Sequence, residues 1–268
     1  MNYLERIVKD RIEEFSNLSY AKAAADMEAL ALSTPEPRLS FSDSIRERNG
    51  VIAEFKRQSP SKGVIHHAKV SPKDVVGLYE KAGVSAISCL TNHFFAGTID
   101  DLKEAVASVK HTPVLRKEFI VDPFQVFEAK ATGASAILLI AGAVSLGQTR
   151  LLAETADRIG LEILMEIHDE KDIDGNVSLP GVTAVGINNR NLKTFEVDID
   201  HSIRLANMLP TNVVKIAESG IRDADDMLRL HKAGFDGFLI GETFMKEDNP
   251  GDACKRLCLK YEELCKTL

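Results

Sequence analysis

Residues 121–140 read VDPFQVFEAKATGASAILLI, and the fold turns on this stretch. Asp122 is a capping side chain and Pro123 suits the first helical position, where a missing N–H costs nothing. An amphipathic run follows, Gly133 stands where the helix should stop, and SAILLI (135–140) reads as a short buried strand. A capped helix that ends at glycine and feeds a buried strand is half of a parallel βαβ unit.

The same order recurs on both sides. Ser71-Pro72 supplies another cap followed by proline, and Gly83, Gly160 and Gly234 each stand just before a β-rich run. The strand candidates are VIAEFK (51–56), VSAISCLT (84–91), PVLRK (113–117), SAILLI (135–140), EILMEI (162–167), TAVGIN (183–188), NVVKIAE (212–218) and DGFLIG (236–241), eight in all. Eight strands in strict alternation with eight helices predict an α/β protein, a single (β/α)8 TIM barrel, rather than an open doubly wound sheet. No GxGxxG follows the first strand, which argues against the dinucleotide-binding fold.

Residues 1–50 stand outside the repeat. NYLERIVKDRIEEFSNL and SYAKAAADMEALALS predict two helical segments joined near residues 16–19, and STPEPRLSF (33–41), with two prolines, predicts an extended connector. The expected organisation is an N-terminal helical extension and connector over 1–50 and one barrel over 51–268. A chain of 268 residues suits one such barrel.

A net charge of −7 argues against non-specific binding to nucleic acid or anionic lipid, so an anionic ligand would need local charge. The first residues are charged throughout and lack the apolar core of a secretory signal, and the longest apolar run, 136–144, is too short to span a bilayer. A cytoplasmic protein is expected. Cys89, Cys254, Cys258 and Cys265 lack zinc-ligand spacing; the last three fall at helical spacing and predict a buried helix face, with no metal.

In a barrel of this kind the site forms at the carboxyl ends of the strands. Those ends carry Glu54 and Lys56, Arg116 and Lys117, Glu166, Asn188, and Glu218 with Ser219. Glu54 and Lys56 are two apart and point the same way, and ionised groups are rarely buried unless paired or functional. Each alone could be half of an internal ion pair. Gathered in one partly desolvated mouth they would shift each other's pKa values, preparing one group to donate a proton and another to accept it. AESGI (217–221) and IGETF (240–244) follow the seventh and eighth strands, where Ser219, Gly220 and Gly241 would let backbone N–H groups approach a phosphate, with Lys56 reaching across. The loop RQSPSKG (57–63) suits a mobile cationic cover or a plain solvated loop. Phe94 and Phe95 could form an aromatic wall or simply pack under a loop. The adjacent His66 and His67 are given no role.

Seven of these stretches, AEFKRQSPSKG, FFAGT, LRKEFI, LMEIHDE, GINNRNLKTFEVD, AESGI and FLIGETFM, resemble in order the motifs of indole-3-glycerol phosphate synthase. The helical extension is also similar to that family's extra segment. The resemblance implies a lyase of tryptophan biosynthesis that closes the indole ring of 1-(2-carboxyphenylamino)-1-deoxyribulose 5-phosphate, with loss of carbon dioxide and water and without cofactor or metal. By matching motif it implies Lys117 as the principal general acid and Glu166 as the general base. Lys56 would bind the substrate carboxylate, with Glu54 positioning it, and the division of acid work between Lys56 and Lys117 stays open. Asn188 and Arg190 would orient substrate, Ser59 would touch it, Glu218 and Ser219 would complete the rim, and Gly220, Gly241 and the backbone N–H of Glu242 would hold the phosphate. A monomer is expected.

The sequence departs from the family pattern at Thr98, where serine is expected, and at Asn92 and His93, where an acidic residue is common. Two rivals remain open from the residues: a Schiff-base aldolase using Lys117 or Lys215, and a non-catalytic barrel that binds a sugar phosphate. A related isomerase of the same pathway would share the phosphate loops but not KRQSPSKG or the amino-terminal helices.

Overall fold

A computed structural model describes residues 3–16, 20–37, 39–59, 63–65, 70–190 and 196–267. Eight parallel strands close into a barrel: β1 (Val51–Phe55), β2 (Ala86–Leu90), β3 (Val114–Lys117), β4 (Ala136–Ile140), β5 (Glu162–Ile167), β6 (Val182–Asn188), β7 (Val214–Glu218) and β8 (Gly237–Ile240). Each pairs with its sequence neighbours and β8 closes on β1, with Val51 opposite Phe238. The strands lie within the predicted runs, shortened by a residue or two at their ends or, at β6, begun one residue earlier.

Alternation along each strand sorts the side chains. Ile52, Ala86, Leu115, Leu138, Leu164, Ala184, Ile216 and Leu239 fill the barrel interior as one apolar cluster. Their neighbours in sequence, among them Ala53, Ile87, Ile137, Ile163, Val185, Ala217 and Phe238, face the helices and join the larger outer core. Two residues beyond an interior apolar residue lies Glu54 on β1, Lys117 on β3, Glu166 on β5, Gly186 on β6 and Glu218 on β7. The interior is therefore apolar in its lower layers and charged at its upper rim.

The outer layer holds α4 (Pro72–Lys81), α5 (Ile99–Ser108), α6 (Pro123–Thr132), α7 (Leu146–Arg158), α8 (Ile199–Ala206), α9 (Ala224–Lys232), α10 (Glu242–Met245) and α11 (Pro250–Cys265). Asp122 caps α6 as predicted, its carboxylate accepting from Phe124 N–H at 2.9 Å. Gly83, Gly133, Gly160 and Gly234 all take positive φ where helices end. Strict alternation fails at one place. Between β5 and β6 there is only a 3₁₀ turn, Glu170–Asp172, followed by turns, because HDEKDIDGNVSLPG is short and rich in aspartate, glycine and proline.

The N-terminal segment holds α1 (Tyr3–Phe15) and α2 (Tyr20–Ser33), as expected, and a third helix, α3 (Phe41–Glu47), that the sequence reading passed over. Ser40 caps α3 by accepting from Asp43 N–H, and Phe41 and Ile45 enter the interior cluster and close the bottom of the barrel. Glu162, at the start of β5, accepts from Phe41 N–H at 2.6 Å and Ser42 N–H at 3.0 Å. A carboxylate on a helix amino terminus satisfies otherwise orphaned donors and opposes the helix dipole. α1 lies across the other end, where Leu4 borders the cavity at the barrel mouth and Arg11 reaches within 3.6 Å of Glu118. Cys254 and Cys258 are buried along α11, as the helical spacing predicts, but Cys265, at the end of that helix, is only half-buried.

Candidate active site

A cavity of about 850 Å³ opens at the carboxyl ends of the strands. Of the residues singled out from the sequence, Glu54, Lys56, Ser59, Phe95, Lys117, Glu166, Asn188, Arg190, Glu218, Ser219, Gly220, Gly241 and Glu242 all line it. These positions are remote in sequence, and barrel closure brings them around one bowl.

Lys117 stands at the centre of the charged rim. Its Nζ is 3.3 Å from Glu166 Oε2 and 3.2 Å from Glu218 Oε2. Glu166 also takes the Asn188 amide at 3.0 Å and lies 3.1 Å from His168 Nε2, both on Oε1. Lys56 pairs with Glu54 at 2.6 Å. All three carboxylates are buried.

This geometry separates the two carboxylates that share Lys117. Burial alone would raise the Glu166 carboxyl, but Lys117, His168 and Asn188 outweigh it and hold Glu166 well below the usual carboxylate range. For Glu218 burial prevails over the attraction of Lys117 and, aided by repulsion from Glu166, pushes the carboxyl up to about 7. Burial also opposes the charge on Lys117, yet Glu218, Glu166 and Glu54 together raise the ammonium above its ordinary value. A protonated amine thus sits beside an ionised carboxylate, a proton donor within reach of an acceptor.

Glycines make room for this cluster. A Cβ on Gly186 would overlap the Glu218 carboxylate, and one on Gly241 would lie 2.5 Å from Glu54 Oε1 and 3.0 Å from Lys56 Cε. Lys56 therefore lies against the loop after β8. In the loop after β7, Ser219 and Gly220 both take positive φ, at 68° and 73°. Left-handed backbone is uncommon for serine, and here it turns the chain sharply at the cavity edge, with the Ser219 carbonyl held by the Asn189 amide at 2.7 Å. Arg190 and Glu242 face each other across the mouth at 3.8 Å.

Some sequence expectations are corrected. Phe94 is absent from the cavity wall; its ring lies 4.3 Å from that of His93. Asn92 caps a 3₁₀ turn, His93–Phe95, in which successive side chains splay by a third of a turn, so of these two neighbouring phenylalanines only Phe95 faces the bowl. Its aromatic partner is Phe119, at 6.3 Å and stacked. Arg116 points outward, 2 % exposed, and bonds Glu128 at 2.6 Å and the Gln125 carbonyl at 2.7 Å. Lys215 likewise faces away, donating to the Ala206 carbonyl at the end of α8 at 2.9 Å, which removes it as a Schiff-base candidate. Thr98 caps α5 and so serves the helix. Residues 60–62 of the cationic loop, His66 and His67, and residues 191–195 lie outside the described residues.

The sequence reading missed Phe119, His168 and Leu4. Phe119 and His168 each stand two residues past a singled-out residue, Lys117 and Glu166, so strand alternation carried through the strand end would have found them. Leu4 had no local signal, because only the packing of α1 puts it at the mouth. Among the described residues no cluster of His, Cys, Asp or Glu is suited to hold a metal ion, and no helix is long and apolar enough to cross a membrane.

A closed parallel barrel whose upper rim pairs a half-buried ammonium with two buried carboxylates defines a (β/α)8-barrel enzyme of the acid–base kind. The indole-3-glycerol phosphate synthase family model matches residues 4–257, and the chain belongs to that family. It is a decarboxylating lyase of tryptophan biosynthesis that acts on a phosphorylated small molecule. Proteins named indole-3-glycerol phosphate synthase are similar to it: that of Bacteroides thetaiotaomicron is 47 % identical over 80 % of this chain and 79 % of its own. That of Salinibacter ruber is 39 % identical over 96 % and 95 %. Among solved structures, a mutant tryptophan synthase alpha-subunit from Pyrococcus furiosus superposes with a TM-score of 0.59 at 14 % identity, over 81 % of this chain and 98 % of that one. A thiamine phosphate pyrophosphorylase from the same organism gives 0.60 at 15 %, over 82 % and 98 %. Both likenesses concern the barrel fold alone.

Proposed function

We propose that Lys117 is the principal general acid and Glu166 the general base as 1-(2-carboxyphenylamino)-1-deoxyribulose 5-phosphate closes to indole-3-glycerol phosphate. The observation that carries this reading is the Lys117 ammonium, within 3.3 Å of Glu166 and 3.2 Å of Glu218 at the barrel rim. When the aromatic carbon attacks the ketone, negative charge develops on its oxygen, and an ammonium already fixed in place stabilises that charge better than solvent that must reorganise. Loss of carbon dioxide is favoured where the carboxylate leaves water for an apolar wall, here Leu90, Phe95, Phe119, Leu138 and Ile140. In the final dehydration the ammonium assists the departing hydroxyl and Glu166 removes a proton.

Lys56 would bind the substrate carboxylate, held by Glu54, and lend positive charge to the phosphate side. Asn188 and Arg190 would orient the substrate, Ser59 would touch it, and Glu218 and Ser219 would complete the rim. The phosphate would rest on backbone N–H groups of Gly220, Gly241 and Glu242, the last opening α10. A monomer is proposed, and residues 1–50 are read as an addition in front of the barrel of 51–268. A cytoplasmic location is proposed, in keeping with the ordinary globular composition. The test is direct: purified protein given the carboxyphenylamino substrate should produce indole fluorescence. Tight binding of that substrate without fluorescence would favour a binding protein and reject the reading.

A further inference from the structure

We propose that His168 is a proton relay, feeding protons from solvent through Glu166 to Lys117 and so resetting the acid between turnovers. The proposal rests on the acid and base assignments made above.

The need for such a path follows from the proton balance. Ring closure takes one proton onto the ketone oxygen. Carbon dioxide departs from the substrate carboxylate and leaves its electron pair to restore the aromatic ring, with no proton moved. Dehydration takes a second proton onto the leaving hydroxyl and releases one from the sugar-derived carbon beside nitrogen. The sum is one proton consumed per turnover. Glu166 can return the proton it receives to Lys117, 3.3 Å away, but the other must come from solvent.

One route is the cavity that the substrate enters. His168 offers another. Its Nε2, a buried nitrogen, is 3.1 Å from Glu166 Oε1, close but not aligned as a hydrogen bond, and on the opposite carboxylate oxygen from Lys117, which sets three groups in succession: His168, Glu166, Lys117. The side chain keeps 20 % of its surface exposed, yet His168 does not line the cavity, so its exposed flank lies outside the substrate bowl. The residue is fixed at both backbone groups: its N–H donates to Asp172 Oδ2 at 2.9 Å, and its carbonyl accepts from His201 Nε2 at 2.8 Å, which requires the proton on that nitrogen. The charged groups facing the ring come from three elements: Glu166 on β5, Asp172 on the following 3₁₀ turn and Glu218 on β7. Burial disfavours the imidazolium, but these carboxylates raise its pKa above the ordinary value, so the ring is readily charged near neutrality. The other ring in this region, His201, is committed to the His168 carbonyl.

The first turnover draws on protons already present, whereas every later one needs the relay. H168N keeps a polar side chain beside Glu166 but cannot carry a proton. Steady-state kcat should fall about tenfold or more, a modest share of what acid–base catalysis contributes, while the single-turnover rate falls less than about threefold. Added imidazole should restore kcat in proportion to its concentration, and the acidic side of the wild-type pH profile should change shape in the variant. H168Q, tested in parallel, guards against a folding defect in one variant. Equal loss in single-turnover and steady-state rates without imidazole rescue would overturn the relay and leave His168 as a support for Glu166. Unchanged kcat in both variants would overturn it as well. Failure of the underlying assignment has a different signature, wild-type activity in E166Q, and the two cannot be confused.

Discussion

Gly186 and Glu218, on neighbouring strands, share one space: the Glu218 carboxylate occupies the volume that any Cβ at position 186 would need. A glycine in mid-strand has a cost in backbone entropy, and here it admits a buried carboxylate to within 3.2 Å of Lys117. Gly186→Ala should displace Glu218, lower kcat at least about tenfold and cost about 1–3 kcal/mol of stability, as overpacked sites do. Thermal unfolding and steady-state kinetics would read both effects. Wild-type values in each would mean that the carboxylate has room elsewhere.

Lys117→Ala and Glu166→Gln should each reduce kcat/KM by roughly 10²–10⁴, the usual worth of a positioned acid or base. Circular dichroism should find both variants folded. Near-normal turnover in either would reject that residue's assignment.

Phe119, rather than Phe94, should matter to substrate. Phe119→Ala should lower kcat/KM by about tenfold or more, the scale of a lost apolar pocket group, and Phe94→Ala by less than about threefold. The reverse order would restore the aromatic wall read from the sequence.

Glu162 binds the base of the barrel to α3 through the amides of Phe41 and Ser42, with Thr183 donating to it at 2.7 Å. Burial opposes its charge, but bonds from Ser42, Thr183 and Ser40 prevail and hold its carboxyl below the ordinary value. A depressed carboxyl contributes stability that is present above the ordinary carboxylate range and lost as pH falls through the folded-state value. Glu162→Gln should therefore cost about 1 kcal/mol at neutral pH, a figure that allows for its partial exposure, and the difference should shrink in acid. Denaturant titrations of both proteins at pH 7 and pH 4 would measure it. A pH-independent difference would mean the charge plays no part.

Much of this protein was legible without coordinates. The eight strands, the capped helices and their glycine stops are local signals, set by backbone conformation and by the period of apolar residues. The charged residues at the strand ends were legible too, because an apolar run that closes on Glu or Lys is costly unless those groups meet partners. Order in the chain could not say what those partners would be. Lys117 lies between Glu166 and Glu218 because a closed barrel turns every strand end toward one axis, and side-chain alternation then sends Lys117 inward and its neighbour Arg116 outward. The same closure determines that Phe119 rather than Phe94 meets Phe95, that Leu4 of the first helix reaches the mouth, and that Phe41 and Ile45 plug the base. Sequence alone determined the elements and the chemical groups, since conformational preference and polarity act over a few residues. Tertiary structure decided which groups stand within hydrogen-bonding distance and in which charge state, since burial and proximity are properties of the closed barrel as a whole.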